Sequence, residues 1–245
     1  MNGGLRSLFG ARPLPTDIRL ASLTLPLDIR SSPRARRLSL RVCAATRSVK
    51  LTVPARTSEA HALAFLERNR DWLLRESARR LPPPIEFAPG TSLPVAGTDL
   101  LLAEGGGRLA RREGDRLLVP GEAALYAGRV KRWLQQEALR LLEAETRGAA
   151  RRLPKTVRQV RVGDFRSRWG SCSADGRIAY SWRLLLAPPF VRRAVVAHET
   201  AHLLEMNHGP DFWALATELL GHSHAEARCW LKANAPLLMR YGAGR

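Results

Sequence analysis

Apolar and polar positions alternate along Leu38–Cys43 and again along Val49–Val53, with a short polar link between, which predicts a β-hairpin. A helix is predicted next, from Ser58 to Arg80. Ser58 is placed to cap it, Ala62, Phe65, Leu66, Trp72 and Leu73 supply an apolar stripe, and Pro82–Pro84 end it. Between Ile85 and Pro120 the pattern becomes strand-like and broken by glycine. Strands are expected near Leu93–Val95, Asp99–Ala103 and Arg116–Val119, with Gly105–Gly107 in a turn. A long helix follows from about Glu122 to Arg151, with Leu125, Val130, Trp133, Leu134, Leu139 and Leu142 on or near its buried side.

The last third reads as two strands, Val157–Phe165 and Ile178–Leu186, with Ala174–Gly176 as a turn signal between them. A helix then runs from Phe190 to Met206 and is stopped by Asn207, Gly209 and Pro210. Two shorter helices, Asp211–Leu220 and Ala225–Ala235, come after it. The expected fold class is therefore α+β. Its organisation is a loosely ordered lead-in over 1–25, a β-rich portion with one helix over 26–121, and a core over 122–241. No internal repeat is visible in the sequence.

Composition narrows the class. The chain has 245 residues, 45% of them hydrophobic and 25% charged, as expected of a globular protein with a substantial core. No apolar run approaches the roughly 20 residues that cross a bilayer, so no membrane partner is expected. The first 20 residues lack the apolar centre of a secretory signal. Cys43, Cys172 and Cys229 have no paired spacing, which fits a reducing, cytoplasmic location. The formal net charge is +18, which would attract nucleic acid. Almost all of it is arginine, with lysine only at positions 50, 131, 155 and 232, and a biased base composition gives the same result.

The candidate chemistry lies at His198-Glu-Thr-Ala-His202, an H-E-x-x-H pattern inside a predicted helix. Positions i and i+4 share a helix face, so two imidazoles can hold one Zn²⁺ while the rigid helix fixes their spacing. Val191, Ala194 and Val195 would anchor that face in the core. Glu199 then projects beside the metal, where a carboxylate can take a proton from an attacking water and give it to a leaving amine. A third ligand is needed. His208 follows six residues after His202, just past the helix stop; Glu205 and Glu218 are rivals. The spacing equals that of H-E-x-x-H-x-x-G-x-x-H, but Glu205 replaces its glycine and no Met-turn follows, so the metzincin pattern is not met. His222 and His224 are expected to cap a helix or face solvent, and His61 to be structural. Trp72, Trp133, Trp182, Trp213 and Trp230 are expected in the core.

Arg168-Trp-Gly-Ser-Cys-Ser173, Gly176-Arg-Ile178, Trp182–Pro188, Val195–Glu199 and Met206–Trp213 together resemble the YgjP-like, or SprT-like, zinc-dependent metallopeptidases, over about Ile29 to Tyr241. The resemblance implies a zincin-like core, with the active-site helix beside an antiparallel sheet and an N-terminal β/α portion attached. It implies His198, His202 and His208 as ligands of one zinc ion, and Glu199 as general base. Ser181 departs from the Asn expected before Trp182. The expected function is hydrolysis of peptide bonds in a peptide or protein substrate. The alternatives are a DNA-associated protease acting on nucleic-acid-bound proteins, and a non-catalytic basic module with structural zinc. The Arg166–Leu186 hairpin is the candidate edge for receiving an extended peptide, with Arg168 and Trp169 lining the cleft.

Overall fold

The structure, a computed structural model, describes residues 15–21, 23–44 and 46–242. Contacts divide the chain into two compact units, Met1–Pro83 and Pro84–Gly244. In the first, strands β1 (Asp17–Leu20), β2 (Leu23–Ser32), β3 (Ser39–Cys43) and β4 (Ser48–Pro54) form a sheet in the order β1-β2-β4-β3. The expected hairpin is the antiparallel pair β3–β4, and β2 runs parallel to β4. Among the described residues strand structure begins at Asp17, where an irregular lead-in to residue 25 was expected; residues 1–14 and Ser22 of that lead-in lie outside the described residues.

The single helix expected over Ser58–Arg80 is two, α1 (Glu59–Arg68) and α2 (Arg70–Arg80). Ser58 caps the first by accepting the His61 N–H. The break falls at Asn69, whose side-chain amide donates to the Phe65 carbonyl at 2.7 Å, an alternative to continued helix that Asn is suited to make. Trp72, expected in the core, is 38% exposed.

The second unit begins with β5 (Ser92–Val95), β6 (Thr98–Glu104), β7 (Arg111–Glu113) and β8 (Arg116–Val119), in the order β5-β6-β8-β7 with β6 parallel to β8. Strand order and pairing sense repeat those of the first sheet, although no repeat shows in the sequence. Helix α3 (Ala123–Ala150) buries Tyr126, Val130, Leu134, Ala138, Leu142, Thr146 and Ala150, one residue in four along a single stripe. Leu125, one position off that stripe, is exposed rather than buried.

A third sheet follows, with β9 (Gln159–Gly163), β10 (Gly170–Cys172) and β11 (Arg177–Ser181) in the order β10-β11-β9. Strand β10 is antiparallel to β11, and β9 is parallel to it. The strand expected to continue to Leu186 gives way at Trp182 to a 3-10 helix, Trp182–Leu186. All five of its residues are buried, so no alternation is left to hold a strand on a half-exposed sheet. Ser181 is satisfied, its hydroxyl donating to the Phe165 carbonyl at 3.0 Å.

Helices α4 (Pro189–Ala201), α5 (Pro210–Leu220) and α6 (Ala225–Leu238) complete the chain. Helix α4 ends at Ala201, earlier than the expected Met206, and a turn carries the chain through Leu204. Val191, Ala194 and Val195 are buried as expected, in one core with α3 and with strands β5, β6 and β8. Arg192 on α4 binds Glu145 on α3 through bonds of 2.8–3.1 Å. Arg183, fully buried, pairs with Asp164, which Lys131 also reaches at 2.7 Å. The protein is thus a mixed α/β fold whose strand pairs are mostly antiparallel. Among the described residues no helix is long and apolar enough to cross a membrane.

Candidate metal centre

Helix α4 carries His198 and Glu199, and His202 stands at its C-cap. The Asn207–Pro210 turn, before α5 starts at Pro210, returns His208 to the same place. The ring centroids of His198, His202 and His208 lie 4.7–5.0 Å apart, and Nε2 of His198 is 3.1 Å from Nε2 of His208. One nitrogen of each ring falls within 4.8 Å of the other two. Of the rivals, Glu205 contributes only its backbone carbonyl, 2.9 Å from His202 Nδ1, and Glu218 is exposed and outside the cluster. That carbonyl accepts from Nδ1–H, which leaves Nε2 of His202 free to face a ligand.

Phe212 forms the floor. Its ring is fully buried and lies 4.5–4.8 Å from all three imidazole rings. Trp213, expected in the core, packs partly buried against the Phe212 cluster and also lines a cavity, 5.8 Å from His198. Burial lowers the His198 pKa to about 4, helped by the nearby histidines and Arg228. Burial also lowers that of His202. Both rings are therefore neutral at pH 7, the state that coordinates a metal.

The donor set suits zinc. Bonds of about 2.0–2.1 Å in tetrahedral geometry put ligand nitrogens roughly 3.3 Å apart, close to the separation between His198 and His208. The three histidines are one side chain short of a closed four-ligand site.

Glu199 is 6% exposed. Burial raises its pKa to about 7 against the opposing effect of Arg168. Its carboxylate rests on β10 at Gly170, where a Cβ would come within 2.5 Å of Glu199 Cγ and Oε1. Only glycine leaves that room. Glu199, His198, Trp169, Gly170 and Trp213 line one cavity of about 240 Å³. Its other walls are mainly apolar (Ala194, Val195, Ala227, Leu231), with His224 and Arg228 added from the last helix and its cap.

Sequence reasoning assigned no role to Gly170, Phe212 or Arg228, and placed His224 at a cap or in solvent. His224 does occupy the N-cap of α6, but its ring is buried and lines the cavity. The Arg-Trp-Gly-Ser-Cys and Asn-His-Gly-Pro-Asp-Phe-Trp runs were the available signal, since they hold Gly170 and Phe212.

Residues 36–234 match the family described as YgjP-like, metallopeptidase domain. No curated protein and no solved structure gives a match. With most of its length matched and three imidazoles grouped where a metal ion can be held, the chain belongs to the YgjP-like metallopeptidase family.

Proposed function

We propose that this protein is a zinc metallopeptidase of zincin type that hydrolyses peptide bonds in protein substrates. The observation that carries the reading is the grouping of His198, His202 and His208, with His198 and the buried Glu199 lining one cavity beside it. His198, His202 and His208 hold the ion, and the domain's catalytic parts all fall within residues 122–241. Bound zinc supplies an acidified water and polarises the scissile carbonyl.

Glu199 is the general base. Its carboxylate takes a proton from the attacking water and returns it to the leaving amine nitrogen, a role served by a pKa near the working pH. Strand β10 receives the substrate. It is the end strand of its sheet, pairs among the described residues with β11 alone, and sits against Glu199 at Gly170. An extended peptide added there would pass the base in a fixed register. Trp169 packs along the cavity to exclude water from the site.

Metal analysis of the purified protein, with a fluorogenic peptide assay of wild type and Glu199→Gln, tests the reading. The variant retains about one zinc per chain and loses roughly 10²–10⁴-fold in kcat. Retained cleavage would refute the assignment. The +18 charge supports a second reading, in which the substrate is a protein held on nucleic acid; DNA then stimulates cleavage at low salt and not at high salt. Cys172 and Cys229, neither in a disulfide, support a cytoplasmic location.

A further inference from the structure

His224 is 6% exposed, and neither of its ring nitrogens has a hydrogen-bond partner among the described residues. A buried polar group left unmatched is costly, so such a group calls for a partner that the folded chain alone does not supply. The ring lines the cavity shared with Glu199 and His198. Its centroid lies 6.5 Å from that of His198 and 6.0 Å from that of Trp213. At 6.5 Å the two imidazoles are too far apart to bond each other, yet one intervening polar group can touch both.

The surroundings limit what that group can be. Of the other lining residues, Ala194, Val195, Ala227 and Leu231 have apolar side chains, and Trp169, Trp213 and Arg228 carry only N–H donors. Arg228 lies over the Trp213 ring at 5.3 Å. A water held at His224 needs two to four polar partners, and the cavity supplies them at its Glu199 and His198 end. Among the lining side chains, an acceptor for the His224 N–H is therefore offered at the end of the cavity that holds Glu199 and His198. A neutral imidazole and an imidazolium both carry a ring N–H, so the ring can donate in either state.

Building on the peptidase reading above, we propose that His224 donates a hydrogen bond to the substrate's scissile carbonyl oxygen as negative charge develops there. The donor is fixed in advance by burial at the head of α6, in a cavity with mainly apolar walls, where such a bond is strongest. The bond strengthens as the carbonyl carbon becomes tetrahedral, so its removal acts on kcat more than on KM.

The test uses the zinc-loaded full chain with His224→Phe, which keeps the ring without its N–H, and His224→Gln, which keeps a donor. Three quantities are measured: kcat and KM on a fluorogenic peptide, zinc affinity by chelator competition, and calorimetric affinity for a phosphinic peptide that mimics the tetrahedral state. His224→Phe is expected to lower kcat by about 10²–10³-fold, with KM within a few-fold and zinc affinity unchanged. Phosphinic-peptide affinity falls in parallel, and His224→Gln recovers part of both.

Unchanged kcat and phosphinic-peptide affinity in His224→Phe would overturn the proposal, as would loss of zinc, which would make His224 a ligand. If His224→Phe does not fold, His224→Gln and His224→Ala are compared, and equal phosphinic-peptide affinity in the two overturns it. A wild type that neither cleaves peptides nor binds the phosphinic peptide fails the peptidase reading itself, a result separate from any effect of His224.

Discussion

Replacing Gly170 by alanine should disable the protein while leaving its fold and metal in place. The new methyl carbon would lie 2.5 Å from Cγ and Oε1 of Glu199 and 2.7 Å from its Cδ. Ordinary carbon contacts lie near 3.5–4.0 Å, so something must move by about 1 Å. The strand is poorly placed to yield, since Gly170 pairs with Tyr180, which is fully buried and bonded to Thr146 at 3.0 Å. The Glu199 side chain moves instead. A misplacement of that size costs on the order of 10²-fold in rate. Overpacking of about 1–3 kcal/mol is offset in part by the 0.4–1 kcal/mol or so gained when a glycine leaves the unfolded chain. The melting temperature should therefore fall by only about 2–8 °C. Peptide turnover, zinc content and a thermal melt on the same preparation check this. A Gly170→Ala protein with bound zinc and kcat/KM within two- to three-fold of wild type would refute the reading that the Glu199 carboxylate works from its place against β10.

Other substitutions probe the metal and the frame that holds it. His208→Ala, at an exposed position, should leave the melt of the zinc-free protein unchanged while weakening zinc binding on the order of 10²-fold or more, read by chelator competition. Glu145→Gln strands the Arg192 guanidinium, whose side chain is 6% exposed, and should cost about 3 kcal/mol in urea unfolding. Asp164 gives the pH dependence. Burial pushes its pKa up, but Arg183 and Lys131 outweigh that and hold the carboxyl well below its usual range. With the folded pKa below the unfolded one, the pair's contribution is complete above about pH 4 and disappears as the pH falls further. Asp164→Asn should accordingly be less stable than wild type at pH 6, and the difference in urea midpoint should shrink by pH 2.5.

The sequence by itself determined the parts of this protein that depend on neighbours within a turn or a hairpin. The His198–His202 spacing, the apolar side of α4, the β3–β4 hairpin and the Ser58 cap all follow from local periodicity and backbone chemistry, which act over a few residues. Only the tertiary structure decided the rest. It brought His208 to the helix pair and left Glu205 and Glu218 aside, because the direction of a chain after a turn depends on what it packs against. It converted Trp182–Leu186 from expected strand to 3-10 helix, since a run buried at every position, Arg183 included, carries no period to read. It set Gly170 against Glu199 and buried His224 beside His198, contacts across 29 and 26 positions of sequence that no local pattern records. Strands β5, β6 and β8 joined the core of α4 for the same reason: burial is settled by which apolar faces meet, and that is a property of the assembled fold.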